Sequence, residues 1–285
     1  MGTELKKFLD AKKTTTRLLG DVERHLMRRP LGDRRTDVLH PSEIIKPDWC
    51  LRYSYYLLTG GDAKKEKPNL RLQNIFDEGH YIHAKWQTRF QEMGVLYGRF
   101  ECKACLISTT GISPACEKCG RTDVMEYKEV TLIDDSLRIA GHTDGWIKGL
   151  GSDCLIEIKS IGAGTLRFEA PDILADANGD IGKAFGNIRR PFRSHLLQGQ
   201  MYLELSRRMF GEEAPKEIVF LYENKADQAT KEFTVKADYE IVERIFFKAE
   251  KLMKAIAAEQ MPACSVNDDG CKLCNQLVGL GAWGA

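Results

Sequence analysis

Cys102, Cys105, Cys116 and Cys119 fall in a C-x2-C-x10-C-x2-C spacing, and no other feature constrains the fold of this chain so tightly. Each C-x2-C pair lets two thiolates converge on one ion, and two such pairs complete a closed tetrahedral site. The spacing predicts a structural Zn²⁺ site, with a rubredoxin-like iron or redox thiols as the alternatives. A closed site leaves no position for substrate. Its expected work is to fold the short segment 99–126, which has almost no apolar core of its own.

Five further cysteines make nine in all. Cys264, Cys271 and Cys274 crowd the C-terminal region, Cys50 stands alone near the other end, and Cys154 falls mid-chain. Reducing compartments keep thiols free, so in an intracellular chain such a number argues for metal sites over disulfides. The sequence is expected to be intracellular and cytoplasmic. Its first residues, MGTELKKFLDAKK, lack a secretory signal's apolar centre, and no stretch approaches the ~18 apolar residues of a membrane span. No membrane partner is expected. A 43% hydrophobic content excludes wholesale disorder. A net charge of +1 leaves partners open, because a neutral total can hide a basic groove beside an acidic metal site.

Residues 1–40 carry ten Lys/Arg and six Asp/Glu and read as a solvated helical arm. Helical spacing follows over Asn69–Met93, through Leu72, Ile75, Phe76, Ile82, Trp86 and Phe90, with Gly79 and His83 on similar faces. Tyr127–Ile133 and Leu137–Thr143 alternate like strands about an Asp134-Asp135-Ser136 turn, and Cys154–Lys159 makes a third strand. Residues 160–194, rich in Gly and charge, read as a long loop with one helical piece. Ser194–Phe210 is expected to be helical, Glu217–Tyr222 and Thr230–Val235 to be strands, and Asp238–Gln260 to be a helix burying Ile241, Ile245, Leu252 and Ile256. This order predicts an α/β fold with a mixed central sheet flanked by helices.

Chemistry gathers at Gly141-His142-Thr143-Asp144-Gly145 and Glu157-Ile158-Lys159. Glu157 and Lys159, two apart on a strand, point to one face of the sheet. Asp144 ends the preceding strand, where it can approach Glu157. Paired carboxylates offer hard ligands for Mg²⁺ or Mn²⁺, and a lysine beside them supplies charge for a phosphate or a developing oxyanion. That set suits phosphodiester hydrolysis. An isolated E-x-K is usually a surface pair. Here it follows Leu155-Ile156 and flanks Ile158, and burying such a pair without a partner or a role is costly.

Asp144 followed by Glu157-x-Lys159 resembles the core of the PD-(D/E)XK nuclease superfamily, with Thr143 in place of that name's proline. Gly79-x-x-x-His83 and Gln198-x-x-x-Tyr202 are similar to the flanking motifs of its RecB-like branch. Cys50, within Pro41-Ser42 … Trp49-Cys50-Leu51-Arg52 … Tyr55-Tyr56, together with Cys264, Cys271 and Cys274, resembles the iron–sulfur subgroup that includes CRISPR-associated adaptation nucleases and AddB-type subunits. The resemblance spans roughly residues 40–275.

The resemblance implies a restriction-endonuclease-like core. In it His83, Asp144 and Glu157 with the Ile158 carbonyl would bind Mg²⁺ or Mn²⁺, Lys159 would orient water or stabilise the transition state, and Gln198 and Tyr202 would position DNA or Lys159. Cys50, Cys264, Cys271 and Cys274 would hold a [4Fe–4S] cluster joining the N- and C-terminal regions. In the family the C-x2-C pair of the trio usually precedes the lone cysteine, whereas here Cys264 comes first, so zinc is the alternative. The implied division is an arm with the first cluster cysteine (1–70), a nuclease core (71–98 and 127–250), a zinc-ribbon insertion (99–126) and a cluster-binding end (251–285).

The implied function is a metal-dependent DNA nuclease, an exonuclease on single strands or duplex ends, with recombination or repair proteins as candidate partners. Arg189, Arg190 and Arg193 are weaker candidates for phosphate contacts, and Phe168, Phe185 and Phe192 for base stacking. For each, the competing expectation is an ordinary loop contact. Two rival functions are a non-catalytic nucleic-acid-binding protein that keeps the fold and an iron–sulfur redox regulator that binds DNA.

Overall fold

The computed structural model describes residues 18–30, 32, 35–63, 66–264 and 277–278. Helices α1 (Leu19–Arg28), α2 (Pro41–Ile44) and α3 (Leu51–Leu58) precede strand β1 (Asp62–Ala63) and the long helix α4 (Leu70–Glu92). Strands β2 (Leu96–Cys102), β3 (Ser108–Ile112), β4 (Met125–Lys128), β5 (Val130–Asp134), β6 (Ile139–Thr143), β7 (Gly145–Ile147) and β8 (Cys154–Ile161) follow. Then come α5 (Ala163–Glu169), α6 (Pro171–Asp176), α7 (Ile181–Asn187), α8 (Arg193–Phe210), β9 (Glu217–Asn224), β10 (Thr230–Lys236), α9 (Glu240–Ala257) and β11 (Leu277–Val278).

The described residues form two compact units, within 1–34 and 65–78 for one and within 35–64 and 79–285 for the other. In the first, α1 buries none of its residues. Lys67 Nζ holds its end by donating to the carbonyls of Met27 (2.5 Å) and Arg29 (2.8 Å). Leu72, Ile75 and Phe76, in the first turns of α4, are exposed.

The second unit is built on a seven-stranded sheet of order β10-β9-β8-β7-β2-β3, with β4 also on β2. β8 and β9 are parallel and the other pairs antiparallel, so the expected mixed sheet flanked by helices is what forms. The cysteine-bearing strands continue this sheet, since β2 pairs β7 at Leu96–Tyr97 and β4 at Arg99–Cys102. β8 is covered on both faces, which is why Cys154–Ile158 reads as a near-continuous apolar run. α8 lies almost in contact with β9: a Cβ on Gly199 would come within 2.5 Å of the Phe220 ring. No helix among the described residues is long and apolar enough to cross a membrane.

Three expectations are corrected. Residues 160–194 hold three helices rather than a loop with one. Their glycines mask the helical signal, while Asp180 caps α7 through a bond from Lys183 N–H (2.9 Å) and Phe185, Ile188 and Phe192 pack into the core. Helix α9 buries Val242, Phe246, Ala249 and Leu252, one step round from the expected stripe. The segment Tyr127–Ile133 is two strands: β4 pairs β2 and β5 pairs β6, with the break at Glu129.

Candidate active site

The site forms where β7 parts from β8. β7 pairs β8 only as far as Gly145 opposite Ile156, while β8 runs on to Ile161 along β9. Thr143 fixes the parting point, its hydroxyl donating to the carbonyls of Ile156 (3.0 Å) and Gly145 (3.2 Å). Asp144 turns into the gap, and its Oδ2 accepts the Ile158 N–H at 2.6 Å. In an extended strand the carbonyl of a residue leaves from the same edge as its N–H, so the Ile158 carbonyl faces this gap too.

From the other side α4 brings His83, whose Nδ1 lies 3.0 Å from Asp144 Oδ1. Gln87, one turn on and on the same face, donates to the Asp144 carbonyl (2.9 Å) and to Glu129 (3.1 Å). The helix is anchored by buried Glu223 of β9, which accepts from Lys85 Nζ (2.5 Å) and Trp86 Nε1 (2.6 Å). Gly79 lies one turn before His83, and a Cβ there would sit 3.5 Å from Ser160 Oγ, an ordinary contact.

Glu157 and Lys159 share a face as the alternation requires, with Nζ 2.7 Å from Oε1. The chain of contacts continues as Lys159 Nζ donates to Gln198 Oε1 (3.1 Å) and Gln198 Nε2 to the Tyr202 hydroxyl (2.8 Å). Glu157 is 3% exposed and its Oε2 is buried without a hydrogen-bond partner. Burial pushes the Glu157 carboxyl up to about 7 against the pull of Lys159, and neighbouring Asp144 adds to the rise. For Lys159, burial opposes the charge, but Glu157 and Asp144 outweigh it and the pKa stands above the usual lysine range. His83 follows the same pattern, raised by Asp144 against its burial.

Sequence reading missed Glu129. One ligand atom each from His83, Glu129 and Asp144 lie within 4.8 Å of one another. Desolvation and the neighbouring Asp144 raise the Glu129 carboxyl. The only signal available was a charged residue interrupting an otherwise alternating run. Of the three arginines, Arg189 donates to the Gly186 carbonyl (3.1 Å), Arg190 is exposed, and Arg193 lines the cleft that leads to Lys159. Phe185 and Phe192 are buried and serve as anchors, whereas Phe168 is 85% exposed.

The four sulfurs of Cys102, Cys105, Cys116 and Cys119 also lie within 4.8 Å of one another. The two knuckles match. Leu106 N–H donates to the Cys102 carbonyl and Gly120 N–H to the Cys116 carbonyl, both at 2.8 Å. Leu106 and Gly120 both take positive φ, 57° and 70°. Cys105 N–H donates to Cys102 Sγ at 3.3 Å. Four convergent sulfurs fit one tetrahedral ion. Cys50 is buried and Cys264 partly so, while Cys271 and Cys274 lie outside the described residues. Cys154 is buried, and burial lifts its thiol to about 11, as befits an inert packing group.

No family model matches the sequence, and no curated protein does. Several solved structures are similar. An alkaline exonuclease, LHK-Exo, from Laribacter hongkongensis shares 12% identity over 79% of this chain and 90% of its own, at a TM-score of 0.39. LHK-Exo in complex with dAMP gives the same identity and coverage at 0.41. SSO0001 shares 11% identity over 88% of each chain at 0.32. At such identities and scores the chemistry has to be read from this chain's own side chains.

Proposed function

We propose that this protein is a divalent-metal-dependent deoxyribonuclease of the PD-(D/E)XK type, an exonuclease acting on single strands or duplex ends. The observation that carries it is the meeting of His83 with Asp144, whose Oδ2 takes the Ile158 N–H between the paired Glu157 and Lys159, where β7 and β8 part. Two facts support a resident cation. Glu157 Oε2 is a buried oxygen without a partner, which is costly unless something positive reaches it. The donors on His83, Glu129 and Asp144 lie close enough to share one ion, and they are hard oxygens and an imidazole, as Mg²⁺ or Mn²⁺ prefers.

His83, Asp144, Glu157 and the Ile158 carbonyl would hold the ion, with Glu129 at the rim. When bound, it supplies polarisation of the phosphorus–oxygen bond and acidification of water. Lys159 keeps its proton between Glu157 and Gln198 and presents a fixed positive charge to the phosphoryl oxygens, where charge develops. Gln198, braced by Tyr202, fixes the position of that ammonium. Asp144 keeps the strand gap open by taking the Ile158 N–H.

The cysteine assignments belong to the same proposal. Zn²⁺ occupies the Cys102/Cys105/Cys116/Cys119 set. Cys50, Cys264, Cys271 and Cys274 hold a [4Fe–4S] cluster, with zinc as the alternative. Two features support a junction there: Met261–Ala263 share a cavity with Arg52, Tyr55 and Tyr56 of α3, and Val278 pairs with Asp62. Brown colour and broad absorbance near 400 nm, lost in Cys271→Ala, would decide for iron.

The function is tested by digesting end-labelled single- and double-stranded DNA in Mg²⁺ or Mn²⁺ with the unsubstituted chain, Asp144→Ala and Lys159→Ala. Cleavage is expected from the first alone. Equal cleavage by all three would place the chemistry elsewhere.

A further inference from the structure

Beside Lys159 opens a cleft of about 1050 Å³, at the upper end of what small-molecule pockets reach. Its walls are the segment Ser42–Trp49, the end of α5, the first turns of α8 and one face of α9. Five cationic side chains line it against two carboxylates, Asp48 and Glu169, and Glu169 already accepts from Ser194 Oγ at 2.7 Å. Four arginines elsewhere in this unit, Arg99, Arg121, Arg207 and Arg208, pair with carboxylates. Arg193 and Arg244 make no ion pair among the described residues.

On α9, Ile241, Arg244, Ile245 and Lys248 form one face by their three- and four-residue spacing, alternating apolar and cationic. This explains the shifted core stripe: Ile241, 39% exposed, faces the cleft, and Val242 takes the core. Lys248 Nζ donates to the Trp49 carbonyl and lies 4.6 Å above the Trp49 ring. Burial and nearby Arg244 hold it below the usual lysine range. Phe168 stands at the rim with its ring in solvent.

Resting on the nuclease reading, we propose that this cleft is the track for a single DNA strand next to the scissile bond. Arg193 and Arg244 bind its phosphates, and Phe168 stacks on an unpaired base. A single strand presents phosphates and flat apolar bases to one groove, and cations interleaved with exposed aromatic and aliphatic groups complement that pattern. A duplex keeps its base faces stacked away from Phe168. An acidic peptide would use the cations and leave Phe168 without a role.

The probe is a labelled oligothymidylate, followed by fluorescence anisotropy on the full chain carrying Asp144→Ala so that cutting does not intervene. Adding Arg244→Glu is expected to weaken binding about tenfold or more and to lower the salt slope by about one. Phe168→Ala should weaken it roughly 5- to 100-fold, with the salt slope kept and affinity recovered by Phe168→Trp. Lys216→Glu, outside the cleft, should leave it unchanged. Arg244→Glu and Phe168→Ala both binding like the parent, or a blunt duplex competing as well as the single strand, would overturn the proposal. The nuclease reading is judged separately, by cleavage of the same strand with the unsubstituted chain. Cutting with both substitutions silent removes only the cleft; binding through these residues without cutting removes only the nuclease.

Discussion

Lys159 Nζ lies 2.7 Å from Glu157 Oε1, two residues back along β8, with the Glu157 side chain 3% and that of Lys159 20% exposed. Removing one partner of a buried pair strands the other charge, at a typical cost of about 3–5 kcal/mol. Lys159→Met should therefore lower unfolding stability by about 3 kcal/mol, measured by urea denaturation. Lys159→Met combined with Glu157→Leu should recover part of that loss, because both charges go together. A double variant as unstable as the sum of the two singles would show that the side chains are not coupled.

Glu129 and Asp144 come together only because the run from Met125 to Asp134 breaks between two sheets. A rim ligand is expected to contribute less than a central one. Glu129→Gln should weaken Mn²⁺ binding several-fold and Asp144→Asn much more, followed by calorimetric titration of the metal. Equal affinities for Glu129→Gln and the parent would remove Glu129 from the site.

His195 gives a pH dependence separable from metal binding. The Tyr222 hydroxyl accepts the Phe192 N–H at 2.9 Å, which leaves its own proton for His195 Nδ1 at 2.6 Å. Burial, and then the neighbouring Lys159, push His195 down to about 3. The unfolded chain binds a proton there from about pH 6.5 downward, and the folded chain resists it. This contribution is thus complete above about pH 6.5 and drains away as the pH falls toward 3. Denaturation midpoints between pH 7 and 4 should fall less steeply in His195→Gln than in the parent.

The four-cysteine site is tied to the main sheet through Cys102, the last residue of β2. Removing the ion proposed for it should reach beyond the knuckles, because Cys102 and Cys116 are buried in one apolar cluster with Phe100 and Met125 of the sheet. Cys119→Ser is expected to lower the metal content by one zinc per chain. It should also speed amide exchange along β2 and β4 and depress the melting temperature by several degrees. An unchanged melting temperature would make the site an ornament of the fold.

Much of this arrangement was legible in the sequence, for local reasons. Glu157 and Lys159 follow from strand alternation, and the cysteine knuckles from two-residue spacing, both properties of neighbouring residues. Glu129 and the cleft face of α9 were not legible, because each depends on which distant element supplies the partner. Ile241 and Ile245 have the periodicity of a buried stripe, and nothing local reveals that their side of the helix borders a charged cleft. The three helices of residues 160–194 were hidden by glycines whose entropic cost is offset by burial of Leu166, Phe185 and Ile188.

Two glycines on helices should respond oppositely to alanine. At Gly199 a Cβ would meet the Phe220 ring at 2.5 Å and Ile218 at 3.2 Å, in a core where α8 lies directly on β9. Overpacking of this kind costs about 1–3 kcal/mol, so Gly199→Ala should destabilise by that amount. At Gly79 the new methyl meets only Ser160 Oγ at 3.5 Å, and helix propensity favours alanine by about 0.5–1 kcal/mol. Gly79→Ala should therefore be neutral or slightly stabilising, with His83 still meeting Asp144. Denaturation of both variants, with Mn²⁺ binding by Gly79→Ala, checks the pair. Loss of metal binding in Gly79→Ala would show that this glycine makes room for something other than the helix's own packing.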